Sequence, residues 1–363
     1  MKAKKLLYLE SLRGFAALIV VLYHGNLMFS ESFLNISIIN HGYVMVDFFF
    51  VLSGFVIAYN YADRITKWRD VVIFQTRRFL RLYPLHFVTF LLFVGIEGAK
   101  YLFEIRSGIA ANNPAFSTND WGAVLSNLSL THSFAENDMT FNDPSWSISA
   151  EFYTYLLFAV LFLLIQKPIL RLISGVMIVV LSCAFLIQYN GFTATTGLAI
   201  IRCFYGFFVG VITCMAIQKL PEKYNGIIGV FGFILLCFIL FLVDTIPHGV
   251  FSPLFAIVIG FFYISRSNII KRVMNSRPFV YLGTISYGLY MWHVAVWWMI
   301  NNGLKYVLKT PTIYSDNRNQ DFLILSDSQS MGIVMTGVIV TFILASLSYH
   351  LLEKPLAARS FKN

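Results

Sequence analysis

The chain has 363 residues, of which 58% are hydrophobic and only 12% charged. A soluble domain carries about twice that share of charge, so a water-facing surface is excluded, as are disorder, collagen and coiled coil. The net charge of +9 must then be explained by where the basic residues fall.

Apolar windows of about 18 to 22 residues mark spanning helices. Ten are predicted, at 7–28, 43–62, 80–102, 146–165, 169–188, 198–217, 226–243, 249–264, 279–301 and 331–352. The expected fold is an all-α polytopic membrane protein made of one membrane domain over 1–363. The first span follows Lys2, Lys4 and Lys5 and resembles a signal peptide in position. Glu10 and Arg13 interrupt its apolar run and no small-residue cleavage site follows, so it is predicted to stay uncleaved. Two loops are long, 103–145 and 302–330, and the first holds a helical stretch from Trp121 to Leu130. Loops of this length usually carry function. Asn35-Ile-Ser and Asn127-Leu-Ser match a glycosylation pattern that matters only in a eukaryotic secretory pathway, and they receive no weight. Cys183, Cys203, Cys214 and Cys237 fall in apolar stretches without a CxxC pair, so buried thiols are expected and no metal site.

Charge placement orients the spans. With the N-terminus in the cytoplasm, nineteen basic residues fall on the inner side, namely Lys2, Lys4, Lys5, Arg64, Lys67, Arg69, Arg77, Arg78, Lys167, Arg171, Lys219, Lys223, Arg266, Lys271, Arg272, Arg277, Lys354, Arg359 and Lys362. Five fall outside: Lys100, Arg106, Lys305, Lys309 and Arg318. That asymmetry is positive-inside behaviour and predicts that both termini are cytoplasmic. Topology thus accounts for the basic charge, and nucleic acid drops out as a partner.

Ionisable groups inside spans are costly and mark sites by default. Arg13 and His24 are 11 residues apart, about 20° beyond three full turns, so they share a helix face about 16 Å apart along the axis. Glu10 precedes Arg13 by one turn and is placed to pair with it. His24 lies near the outer end of the first span, Asp47 near the outer start of the second and Glu151 near the outer start of the fourth. One imidazole and two carboxylates are therefore predicted at similar depth, with His293 and Arg202 also in outer span portions. A histidine with a carboxylate partner is equipment for general acid–base chemistry, and equally for a proton relay in a transporter. On the inner side, Arg77, Arg78 and Arg81 precede Tyr83-Pro84, where guanidinium groups suit phosphate.

At these residues the chain resembles membrane acyltransferase family three, bacterial multi-span proteins that acylate cell-surface glycans. Leu9-Glu-Ser-Leu-Arg-Gly-Phe-Ala-Ala17 followed by His24 is similar to the family's Arg-x10-His signature, with Glu10 where an Asp is usual. Val46 to Phe55, Arg77 to Pro84, Trp146 to Tyr153 and Ile285 to His293 resemble four further motifs, and Glu353-Lys-Pro355 the short acidic-x-Pro ending. The six follow the family order along nearly the whole chain.

The resemblance implies acyl-CoA, chiefly acetyl-CoA, as cytoplasmic co-substrate with no bound cofactor. Its phosphates would lie near Arg77, Arg78 and Arg81, and its arm along the Arg13 face towards His24. His24 would act as base or transient acyl carrier, oriented by Glu151 or Asp47. Ser286, Tyr287, Tyr290 and His293 would contact the oxyanion or acceptor. The acceptor would be a hydroxyl of a surface or lipid-linked glycan, and the location the bacterial plasma membrane. Some family members carry a fused extracytoplasmic hydrolase-like domain; with Asn363 soon after the last span, none is expected here. Ser53-Gly54 reads as a helix-packing element, and Trp146, Trp292, Trp297 and Trp298 as anchors or packing. The rival readings are a glycan flippase with the buried charges as its proton path, disfavoured by the lack of internal repeats, and a scaffold that makes no use of His24.

Overall fold

The structure is a computed structural model that describes residues 6–29, 34, 36–109, 113–218, 220, 227–265, 269–315 and 320–359. Lys2, Lys4, Lys5, Asn35, Lys219, Lys223, Arg266, Arg318, Lys362 and Asn363 lie outside the described residues. In chain order the helices are α1 Leu7–Asn26, α2 Ser37–Asn40, α3 Met45–Tyr61, α4 Trp68–Ser107, α5 Trp121–Leu128, α6 His132–Ala135, α7 Trp146–Leu164 and α8 Pro168–Gln188. They continue with α9 Ala199–Ile217, α10 Ile227–Phe241, α11 Phe251–Ile264, α12 Ile269–Met274, α13 Arg277–Thr284, α14 Ser286–Asn302, α15 Asp327–Ser348 and α16 Lys354–Arg359. Among the described residues, seven helical segments are long and apolar enough to cross a membrane, and Ile227–Phe241 and His248–Ile264 are shorter apolar helices. The protein is an α-helical, multi-pass membrane protein.

Three expected segments come out differently. The third span is part of a 40-residue helix that begins at Trp68. Hydropathy reads only its apolar part, because Arg69, Asp70, Arg77 and Arg78 interrupt the first turns without breaking the helix. The segment read as 279–301 is two helices, α13 and α14, divided at Ile285, whose ψ of 4° departs from the helical region. The Ser286 hydroxyl donates to the Gly283 carbonyl across this break at 2.8 Å. The 302–330 loop contains a two-stranded antiparallel ribbon, β1 Thr312–Ser315 with β2 Gln320–Leu323. Lys305 pairs with Asp321 beside it. The predicted helical stretch after Trp121 is α5, capped by Asp120, whose carboxylate accepts from the Ala123 N–H at 2.9 Å.

The chain divides into two compact units. Unit one comprises residues 1–60 and 206–349, unit two residues 61–205 and 350–363, so the division falls inside α9. In unit one, α1 buries Leu9, Leu12, Ala16 and Val20, a stripe at helical spacing. It meets α13 backbone to backbone: a Cβ on Gly283 would lie 2.0 Å from the Glu10 carbonyl oxygen, and one on Gly14 2.6 Å from the Gly283 nitrogen. The same device joins α3 to the Gly206–Ile217 part of α9. A Cβ on Gly54 would lie 1.9 Å from the Phe207 carbonyl oxygen, and one on Gly210 2.0 Å from that of Val51. Ser53-Gly54 is therefore a close-packing element, and Gly206 and Gly210 provide the small-xxx-small face it needs.

In unit two, α4 packs on α7, and Gln75 donates to the Phe152 carbonyl at 3.0 Å. The 113–145 segment is moored to both helices. Tyr83 and Tyr153 hydroxyls donate to the carbonyls of Leu128 and Ser129, and Glu97 accepts from the Phe116 N–H and the Asn119 amide. Arg171 is buried and donates to the carbonyls of Ile165, Ala62 and Phe162. Those bonds satisfy the carbonyls that a helix end leaves open.

Candidate functional site

The first group of site residues lies in unit one on α1, α3 and α14. His24 is half-buried in the last turn of α1. Its Nδ1–H donates to the Val20 carbonyl at 3.0 Å. Orientation and tautomer are therefore set by its own helix, and in the neutral ring the lone pair sits on Nε2. The His293 ring meets it edge to face, with centroids 4.7 Å apart and planes at 66°. His293 is 0% exposed, and its Nδ1–H donates to the Tyr290 carbonyl at 2.6 Å. Its buried Nε2 has no hydrogen-bond partner among the described residues. Tyr290 is buried beside it, ring centroids 5.7 Å apart, and Phe49 of α3 packs edge-on to Tyr290. Tyr23 packs edge-on against His24, with centroids 4.9 Å apart.

The remaining predicted residues of unit one are placed as follows. Asp47 is 7% exposed in the first turn of α3, where the helix N-terminus favours a carboxylate. Arg13 and Glu10 are half-buried on α1. Tyr287 is buried on α14. Ser286 is buried too, and its hydroxyl hydrogen is committed to the Gly283 carbonyl, so in this conformation it has no proton for an oxyanion. A neutral His293 has the same property at Nε2, which is an acceptor.

Unit two holds Glu151, half-buried on α7, and the arginines of α4. The three arginines are not equivalent. The Arg78 guanidinium sits among Tyr61, Phe74 and Tyr155, 5.5, 5.6 and 5.9 Å from the ring centroids, and donates to the Tyr61 hydroxyl at 3.3 Å. Its Nε is buried and has no hydrogen-bond partner among the described residues. Arg81 is exposed and feels the Glu353 carboxylate, which links the third motif to the acidic-x-Pro ending. Arg77 is half-buried. Arg202 is buried over the Trp146 ring and donates to the Ala194 carbonyl. Among the described residues no group of three or more His, Cys, Asp or Glu side chains is gathered as for a metal ion. All four cysteines are free thiols.

One cluster was not singled out by the sequence reading. His86 of α4 and His132 of α6 stack in parallel, centroids 5.5 Å apart and planes at 3°, and they are 1% and 3% exposed. His86 Nε2–H donates to the Asn127 carbonyl at 3.0 Å, while His132 Nε2 and the Ser145 hydroxyl are 3.1 Å apart. Ser145 stands at the N-cap position of α7, yet its side chain makes no cap. Burial, reinforced by the neighbouring His86, pulls the His132 pKa down to about 4. His86 satisfies the criterion that drew attention to His24, an ionisable group inside a span; its partner His132 lies 46 positions away. Asn127 is buried with its amide donated to Ala123 and Thr140.

Fold and site define a multi-pass helical membrane protein with an arginine-bearing helix and two imidazole pairs, one between α1 and α14 and one between α4 and the 113–145 segment. The chain belongs to the family described as acyltransferase domain, whose model matches residues 6–350. It is similar to a putative peptidoglycan O-acetyltransferase, YrhL, of Bacillus subtilis, 27% identical over 383 residues that cover 98% of this chain and 55% of the relative. It is similar also to the peptidoglycan O-acetyltransferase OatA of Listeria monocytogenes (26% identical over 388 residues; 98% and 56% covered). The O-acetyltransferase OatA of Staphylococcus aureus is 26% identical over 386 residues, with 98% and 57% covered. The chain thus spans about half the length of these curated relatives. No solved structure matches it.

Proposed function

We propose that the protein is an integral-membrane O-acetyltransferase of the bacterial plasma membrane. It moves an acetyl group from cytoplasmic acetyl-CoA to a hydroxyl of a cell-surface or lipid-linked glycan, with peptidoglycan favoured by the names of the relatives. The observation that carries the reading is His24. In a chain of acyltransferase family, it is a half-buried imidazole whose Nδ1–H is spent on Val20 and whose Nε2 is left as a base. Nε2 takes the proton of the acceptor hydroxyl, the oxygen attacks the thioester carbon, and the departing thiolate recovers the proton. The same nitrogen can instead attack the thioester and carry the acetyl group for one step. Asp47 or Glu151 stabilises the imidazolium by charge.

Donor phosphates are assigned to Arg77, Arg78 and Arg81, with Arg13 along the route, because guanidinium forks onto phosphate. Ten spans with both termini cytoplasmic is the topology adopted, on the strength of the basic asymmetry. Tyr287 and Tyr290 hydroxyls are the assigned oxyanion donors.

The test is base-labile acetyl ester on extracted glycan, measured by NMR beside a blot for membrane-inserted protein. His24→Ala should abolish ester while polymer quantity stays normal. Full acetylation by that variant, in a strain lacking paralogues, would sink the reading. Loss of the polymer itself would mark a flippase.

A further inference from the structure

Ser286, Tyr290, His293 and Trp297 recur on α14 at intervals of four, three and four residues, so they form one stripe of the helix. Trp297 locks that stripe onto α1. Its indole N–H donates to the Val21 carbonyl at 2.9 Å. Its ring fills the space where a Cβ on Gly25 would lie 2.6 Å away and one on Gly337 of α15 2.1 Å away. Neither helix can slide without driving the indole into backbone. The lock sits one helical turn from both His24 and His293, and it holds α1 against α14 beside the two rings.

Both imidazoles then have the same internal arrangement. Each Nδ1–H is donated to a carbonyl of its own helix, Val20 for His24 and Tyr290 for His293, so each neutral ring carries its lone pair on Nε2. His293 Nε2 is buried with no donor facing it among the described residues, an arrangement that destabilises a resting protein. The pair therefore lacks one proton. A single added proton makes one ring a donor and leaves the other an acceptor; a second puts two positive charges at the same contact, where they repel. Tyr23 packs on the His24 ring and Tyr290 on the His293 ring.

We propose that His24 and His293 act as one unit that holds a single proton, shared between the two Nε2 atoms, during acyl transfer. The inference rests on the reading of His24 as the base. The hydroxyl proton moves to His24 Nε2 as the acceptor oxygen bonds to the acetyl carbon. A turn of the soft χ2 torsion of either ring lets the new N–H donate to His293 Nε2. As the carbon–sulfur bond breaks, the proton passes to the thiolate, which leaves as CoA thiol. The acetyl group has moved from sulfur to oxygen, the proton from oxygen to sulfur, and both imidazoles end neutral.

The experiment is 15N NMR of the full chain labelled at histidine, in lipid nanodiscs, titrated with acid, with His24→Ala and His293→Gln used for assignment. The expected result is that the His24 and His293 resonances move together with uptake of one proton, and that His24→Ala abolishes the movement at His293. Independent titration of the two rings, or a His293 signal unchanged by His24→Ala, would overturn the proposal. In cells, His293→Gln keeps an acceptor but cannot take a proton. It should lower the ester formation rate by about tenfold to a hundredfold, less than the 10² to 10⁴ of a lost general base, at unchanged protein level. Ester at the full rate in that variant would also overturn it. Coupled titration together with normal ester in His24→Ala would uphold the shared proton and defeat only the assigned reaction.

Discussion

In unit one, His24 and His293 meet edge to face, the first half-buried and the second sealed. In unit two, His86 and His132 lie flat on each other and both are sealed. The hydrogen bonds differ as well. Among the described residues the unit-one rings bond to the helices that carry them, through Nδ1 to Val20 on α1 and Tyr290 on α14. The unit-two rings reach other segments, the Asn127 carbonyl at the end of α5 and Ser145 at the start of α7. Bonds within one helix orient a ring and join nothing, whereas bonds between segments stitch the loop to its scaffold. Both pairs keep an unpartnered buried ring nitrogen among the described residues, Nε2 of His293 and Nδ1 of His86 and His132; what the unit-one pair adds is the partial opening at His24. Under the proposed function the same residue type serves two purposes, distinguished by exposure and hydrogen-bond destination.

The comparison breaks most readily on catalysis. His24→Ala should reduce ester formation by about 10² to 10⁴ with no loss of inserted protein, because a half-buried side chain contributes little to packing. His132→Phe keeps a flat ring at the position without a titrating group and should leave the specific activity of the folded fraction within a few-fold of wild type. Loss of ester from a fully folded His132→Phe protein would place chemistry in unit two and end the distinction.

Acid sharpens it next. His132 has a folded pKa depressed to about 4 from 6.5, so the folded segment resists the proton that the opened segment accepts. Its contribution is fully present above about pH 6.5 and is lost as pH falls towards 4. By pH 5 the loss is about 2 kcal/mol. The protection factors of the 126–135 amides, taken relative to the intrinsic exchange rate at each pH, should fall by about 30-fold between pH 7.5 and 5, and the fall should vanish in His132→Phe. An equal fall in that variant would mean that other groups titrate.

The smallest effect is expected at Ser145, whose hydroxyl serves His132 rather than the helix end. Ser145→Ala should cost about 1 kcal/mol, read as a lower melting temperature in detergent, with acetyl transfer retained. Ser145→Asp, which suits the N-cap and the dipole, should not recover it if the His132 bond is what matters.

Much of this was legible in the residues. His24, Asp47 and Glu151 announce themselves as charges in apolar runs, and His293 by its place in an aromatic motif. The apolar blocks also gave the multi-pass helical class. What could not be read was contact between distant positions: His86 with His132, or the Arg78 cage, whose rings come from Tyr61 and Tyr155 as well as neighbouring Phe74. The start of α4 was hidden because hydropathy stops at the first charges, while the backbone has no reason to stop there. The break at Ile285 carries no proline; it lies two residues after Gly283, which meets the Glu10 carbonyl of α1, a contact that local sequence does not announce. The ribbon at β1 and β2 is two four-residue strands in a polar loop, too short for alternation to signal.

The length of α4 has a consequence for the lipid. Forty helical residues measure about 60 Å, twice the hydrocarbon thickness of about 30 Å. Roughly half of this helix must therefore stand clear of the acyl chains, and its apolar part beyond Pro84 is the half suited to lie among them. The Arg78 cage then rides at a height fixed by the rod beneath it rather than by the bilayer surface. Thicker membranes would draw that rod in or tilt it, and thinner ones would lift the cage clear. The protein carries its own depth gauge, and acyl-chain length becomes a control on where its guanidinium groups meet the water.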